Sequence, residues 1–375
     1  MTMKTNYGII GCGMMGHEHL KNIALLDSTN IAAIYEPDVA MAKSASKLAP
    51  NAEMSTTLEE LLNRDDLDCL VIASPNFLHM EQLTQISQHP ARPILVEKPL
   101  FTDQSDVPAL EKFNRDYPAP VWVAMEYRYM PPIAALIEEA EAATGGIKML
   151  TIREHRFPFL EKVNDWNRFN KFSGGTFVEK CCHFFDLIRV VIKSEPIRVL
   201  ASAAQDVNHL DEEYDGEVPD ILDNGYAIVD FDNGARAMLE LCMFAEGARY
   251  QEETSAVGPK GKIEAFVPGP GRFWPKRLGS APVPHLITSP RHPRGPIRKE
   301  TPVDSKLLEA GDHNGSTFYQ HEKFLQLVRG EINQPEVSFL DGWKAVALGL
   351  AAQESASQHR VVELSGYETY PKSKN

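Results

Sequence analysis

Thirteen consecutive residues, Gly174-Gly175-Thr176-Phe177-Val178-Glu179-Lys180-Cys181-Cys182-His183-Phe184-Phe185-Asp186, set two cysteines, a histidine, two acids and a lysine among bulky apolar side chains. Three chemistries suit such a set: metal ligation, thiol redox work, or a general base held by its neighbours. Cys181, Cys182 and His183 are consecutive, so on a helix they point about 100° apart and do not converge on one ion. A vicinal disulfide would demand a strained peptide and an oxidising compartment. The cysteines therefore read as small apolar packing residues, and no metal is expected here. Glu179, His183 and Asp186 fall at i, i+4 and i+7, one face of a helix. An imidazole with an ordinary pKa of about 6.5 is suited to taking a proton near neutral pH, and Glu179 would orient or polarise it.

A second constellation is Gly11-Cys12-Gly13-Met14-Met15-Gly16, a GxGxxG that follows the apolar run Tyr7–Ile10. The motif alone is weak. Here a strand precedes it, and Met15, Leu20, Ile23 and Leu26 follow at roughly helical spacing. Gly11 allows a tight turn, Gly13 a close approach to a pyrophosphate, and Gly16 close packing of helix on strand. The helix N-terminus then offers free N–H groups to phosphates. Glu36, 20 residues beyond Gly16, follows a second strand over 31–35. An acid there accepts hydrogen bonds from ribose hydroxyls and repels a 2′-phosphate, so NAD is expected over NADP.

The elements that must position these groups follow from the pattern. Apolar runs at 69–73, 93–96 and 121–125 alternate with helical stretches, as in a doubly wound parallel sheet. In such sheets ligands sit at the carboxyl ends of strands, where Asn76, Lys98 and Glu126 fall. Ser74, Pro75, Asn76 and His79 in SPNFLH, and Glu97 and Lys98 in EKP, are candidates for cofactor contact. Beyond about residue 147, strands expected at 149–156, 197–205, 226–231, 235–241, 251–257 and 262–267 lack regular intervening helices. That describes an α+β domain on a largely antiparallel sheet. Residues 259–302 hold ten of the 26 prolines and nine basic residues against two acids, and read as a long irregular arm. Two helices are expected around 317–329 and 341–358. The expected division is 1–127 for the nucleotide domain and 128–375 for substrate and subunit contacts, with the C-terminal helix packing back on the first domain.

Composition fits this picture. At 375 residues the chain exceeds the usual size of one core. A formal charge of −14 argues against nucleic acid or an anionic membrane as partner. No run approaches the roughly 20 apolar residues of a membrane span. The five cysteines lack framework spacing, and a strand begins almost at once, so a cytoplasmic protein without a signal peptide is expected.

Taken in order, GxGxxG, SPNFLH, EKP and GG-x-x-x-acid-x-x-x-His-x-x-Asp resemble the glucose–fructose oxidoreductase/inositol dehydrogenase (Gfo/Idh/MocA) family. The FxxxxRG and LDGxxAxxLGLAAxxS helices near the end extend the resemblance over most of the chain. It implies an N-terminal Rossmann domain and a C-terminal domain whose large open sheet covers the active site and often mediates homo-oligomers, dimer or tetramer. The implied chemistry is NAD(P)-dependent oxidation or reduction of a sugar or cyclitol hydroxyl. Lys98 matches the family lysine of EKP and His183 the family histidine; Glu179 stands where aspartate is usual. Lys98 would stabilise an alkoxide as His183 takes the proton. Arg128, Arg153, Trp166, Arg168, His313 and Tyr319 are further substrate-pocket candidates. An NAD-dependent glycosidase working by transient oxidation and elimination would use the same residues. A non-catalytic dinucleotide sensor would need no such acid–base pair. The arm either crosses a subunit interface or sends one or two cations into the pocket to select an anionic sugar.

Overall fold

Short apolar runs without alternation, Thr5–Ile10 (β1), Thr29–Tyr35 (β2), Cys69–Ile72 (β4), Ile94–Val96 (β5) and Val121–Val123 (β6), form parallel strands covered on both faces. With Glu53–Ser55 (β3) they make a six-stranded parallel sheet in the order β3-β2-β1-β4-β5-β6. The order reverses between β1 and β4, which opens a crevice at the strands' carboxyl ends. The computed structural model describes residues 4–371.

The second sheet is larger and alternates. Met149–His155 (β7), Pro196–Ala204 (β8), Asn224–Phe231 (β9), Arg236–Cys242 (β10), Glu252–Gly258 (β11) and Gly261–Val267 (β12) place every second residue on a buried face. His285–Pro290 (β13), Ile297–Glu300 (β14) and Val362–Glu363 (β15) complete nine strands, ordered β14-β13-β12-β11-β7-β10-β9-β8-β15. Only β7 and β10 pair in parallel; their neighbours run antiparallel. The proline-rich stretch thus differs in part from the irregular arm expected: β13 and β14 extend the sheet beyond β12, and the prolines fall almost wholly in the loops around them.

The helices Cys182–Ile192, Pro131–Thr144 and Phe339–Gln358 cover the buried face of this sheet. Phe339–Gln358 also reaches the first sheet. Val123 donates its N–H to Val337 O at 3.1 Å, and Gly342 lies directly against Val123. Helix Ser316–Val328 packs on helix Met14–Ile23 of the nucleotide half. The sheets and these helices share one continuous apolar core.

Candidate active site

The ends of β1, β2, β4, β5 and β6 open into a cavity of about 990 Å³, whose far wall comes from the second half of the chain. Gly11, Gly13, Met14 and Met15 line one end beside Glu36. Gly11 has φ +86°, and a side chain there would meet the backbone of Ser74 at 2.5 Å. A side chain at Gly13 would project into open space, and one at Gly16 would meet Gly11 O at 2.6 Å. Helix Met14–Ile23 starts here with no side-chain cap, so its first N–H groups remain available. This glycine cradle fits a dinucleotide pyrophosphate. Cys12 does not line the cavity; its N–H donates to Glu36 Oε2 at 2.5 Å, while Asp38 N–H donates to Oε1 at 2.8 Å. Both Glu36 oxygens are thereby fixed at the end of β2.

Ser74, Pro75, Asn76, Glu97 and Lys98 line the middle of the cavity. His79 does not. It is fully buried, with ring nitrogens 2.7 Å from Pro99 O and 3.0 Å from Ser74 O, and so ties the loops after β4 and β5 together. Glu97 is held by His19 at 2.9 Å, and His19 in turn meets His321 at 2.8 Å.

The thirteen-residue stretch departs from one continuous helix. Thr176–Glu179 is a short turn of helix, Lys180 and Cys181 form a break, and Cys182–Ile192 begins the longer helix. Glu179 and His183 consequently have different partners. The Glu179 carboxylate accepts from Asn76 Nδ2 and, at 3.1 Å, from Lys162 Nζ. Lys98 Nζ donates to Glu179 O at 3.0 Å and lies 4.0 Å from its carboxylate. Glu179 therefore positions two lysines and an asparagine, rather than the imidazole as expected from spacing alone. Burial alone would raise its carboxyl, but Lys162 and Lys98 bring it below the ordinary value. Burial opposes the Lys98 charge, and Glu179 more than restores it, so Lys98 is a firm cation.

His183 stacks on Tyr127, ring centres 4.0 Å apart and planes 4° from parallel. Burial, then the charges of Lys98 and Lys180, push its pKa well below the ordinary value, so the ring is neutral. Its Nδ1 is enclosed without a hydrogen-bond partner, which leaves Nε2 as the nitrogen open to the cavity. Cys181 and Cys182 are buried free thiols, and burial pushes Cys182 up to about 12.

Of the remaining candidates, Trp166 and His313 line the cavity and four others do not. Arg128 is spent on a two-pronged ion pair with Asp186, at 2.5 Å on each prong, and on Glu336 O. Arg153 lies on the outer phase of β7, paired with Glu240 and Glu253. Arg168 is buried against Glu212 and Asn167. Tyr319 packs beside Phe318 on helix Ser316–Val328, away from the cavity. None of Lys276, Arg277, Arg291, Arg294, Arg298 and Lys299 lines the cavity either; Lys299, for example, pairs with Glu139 at 2.9 Å. Within one chain, then, the arm brings none of these six cations to the cavity.

Sequence reasoning missed several cavity residues. Lys162 comes from an irregular loop with no signal in its spacing, and Arg156 directly follows β7. Lys180 bonds Tyr127 Oη and, at 2.9 Å, Glu154. Glu154 sits opposite Glu252 in the β7–β11 register, and burial followed by Glu154 raises Glu252 to about 7. Here a signal existed: both acids occupy the apolar phase of their strands.

Comparison with known proteins agrees with this geometry. A family model described as an oxidoreductase family NAD-binding Rossmann fold matches residues 5–125, and its companion C-terminal alpha/beta domain matches residues 141–364. The chain belongs to the Gfo/Idh/MocA oxidoreductase family. Within it, an inositol 2-dehydrogenase of Corynebacterium glutamicum (strain R) is 26% identical over 276 residues, 73% of this chain and 77% of that protein. A myo-inositol 2-dehydrogenase of Thermotoga maritima is 24% identical over 364 residues, 95% of this chain and 98% of that one. The solved structure of a levoglucosan dehydrogenase in complex with NADH and levoglucosan shares the fold, with TM-score 0.79 at 19% identity over 99% of this chain and 100% of that chain. Residues 5–125 of this chain are thus an NAD-binding Rossmann domain of an oxidoreductase. Among the described residues no helix is long and apolar enough to cross a membrane.

Proposed function

We propose that the protein is an NAD-dependent dehydrogenase acting on a secondary hydroxyl of a sugar, sugar derivative or inositol. The observation that carries this reading is one cavity, continuous with the glycine cradle, that holds a charged Lys98 and a neutral His183. The bound nicotinamide supplies the hydride acceptor. His183 Nε2 takes the hydroxyl proton, and the Lys98 ammonium steadies the negative charge that develops on that oxygen. Glu179 keeps Lys98 pointed inward, and the loop carrying Lys162 and Trp166 shields the reacting groups from water. In this reading residues 1–127 hold the cofactor, while 128–375 close over the substrate and form subunit contacts. The inositol and levoglucosan dehydrogenases among its relatives support a polyol or sugar substrate.

Purified protein incubated with NAD and a panel of polyols, sugars and glycosides tests this. NADH should accumulate with at least one polyol or sugar, and NAD should bind more tightly than NADP because Glu36 faces the 2′ position. Release of an aglycone without net NADH would replace dehydrogenation by transient oxidation and elimination. Equal affinity for NADP would remove Glu36 from its discriminating role.

A further inference from the structure

Glu126 follows β6 and is buried, yet neither of its carboxyl oxygens has a hydrogen-bond partner. Buried polar atoms without partners are uncommon and ask for an explanation. Its Oε1 lies 3.7 Å from His183 Nε2 and 4.0 Å from His313 Nε2. The open nitrogen of His183 thus faces a carboxyl with free lone pairs. We propose that Glu126 receives the substrate proton from His183, acting as a proton relay beside the base. This rests on the reading of His183 as that base.

The transfer balances in two steps. The substrate O–H bond breaks and an N–H bond forms at His183 Nε2. That N–H bond then breaks, an O–H bond forms at Glu126 Oε1, and the imidazole is neutral again. The separation of 3.7 Å exceeds a hydrogen bond, and contacts of this kind tighten when substrate fills a site. Glu126 returns the proton to water once product leaves the cavity.

Every charged neighbour bears on whether the relay works near neutrality. Glu97 and Lys98 face Glu126 from the end of β5, His183 and Cys182 from their helix, and His313 from the segment before helix Ser316–Val328. Burial, then Glu97, raise the Glu126 carboxyl to about 7, against His313 and Lys98, which lower it. Both protonation states are therefore populated at neutral pH. His313, bound through Nδ1 to Glu18 at 2.9 Å, faces Glu126 as a cation, which leaves Glu126 as the acceptor of the pair.

The test combines imidazole ¹⁵N NMR with kinetics on the whole protein saturated with NAD. In the wild type, the His183 ring signals should step near pH 7 while the ring stays neutral, reporting the Glu126 proton. Glu126→Gln should abolish that step. With myo-inositol as the probe substrate, the same variant should lower kcat about tenfold or more, leave KM and NAD affinity near wild type, and lose the limb near pH 7. Glu126→Asp, which keeps the carboxyl, should retain a shifted step, and it serves if the glutamine variant does not fold. A His183 signal without the step, or Glu126→Gln with wild-type kcat and pH profile, overturns the relay. Should that occur while His183→Ala is inactive, the base stands and only the relay falls. A fully active His183→Ala removes both. If myo-inositol is not turned over, the NMR step decides alone.

Discussion

At the buried groups of the cavity, burial opposes charge and neighbouring charges decide the outcome. His313 shows the consequence most plainly. Burial would lower it, but Glu18, with help from Glu126, raises it to about 9. Its folded-state pKa therefore lies above the unfolded value of about 6.5. The stability it contributes is fully present below about pH 6.5 and is lost as pH rises through about 9. We expect the loss to be on the order of 1–3 kcal/mol. Urea unfolding at pH 6, 8 and 10 should show the wild type weakening more than His313→Asn over that range. Parallel pH dependence in the two proteins would contradict the assignment. Glu179 illustrates the opposite balance, a buried acid kept ionised because two lysines converge on it.

Elements place these residues, and their legibility followed from their length and phase. Parallel strands such as Cys69–Ile72 are unbroken apolar runs, so their carboxyl ends, and Asn76, Lys98 and Glu126 with them, could be read directly. Glu53–Ser55 and Val362–Glu363 are too short and polar to carry a period, and they are held only by pairing with neighbours. β13 and β14 were hidden by the prolines of the loops around them. The break at Lys180 and Cys181 is not written in the spacing, because Glu179 turns toward Asn76 and Lys162, residues far away in the chain. Close helix packing is also a long-range property. A side chain at Gly349 in helix Phe339–Gln358 would lie 2.7 Å from Phe177 O, a backbone atom with little freedom to move. Gly349→Val should therefore destabilise by about 1–3 kcal/mol, read as a lower urea midpoint with an unchanged slope. An unchanged midpoint would mean that the helix shifts at no cost.

At the scale of the whole molecule, the second sheet keeps one face outside the core. Leu200, Tyr226 and Ile228 are 44%, 53% and 45% exposed on adjacent strands β8 and β9, with Leu200 directly opposite Ile228. Contiguous apolar surface of this kind marks an association face. We expect a homo-oligomer through it: light scattering should give a dimer or tetramer, and Ile228→Lys should shift it toward monomer. A monomeric wild type would sink that expectation. The central claim is that the two halves of the chain assemble one acid–base site, with Lys98 from the first and His183 from the second. Its most direct test is the turnover and NAD affinity of His183→Ala on the substrate found in the panel. The account predicts a fall in kcat of about 10²–10⁴-fold with NAD affinity near wild type. A correctly folded His183→Ala that retains wild-type turnover would contradict it.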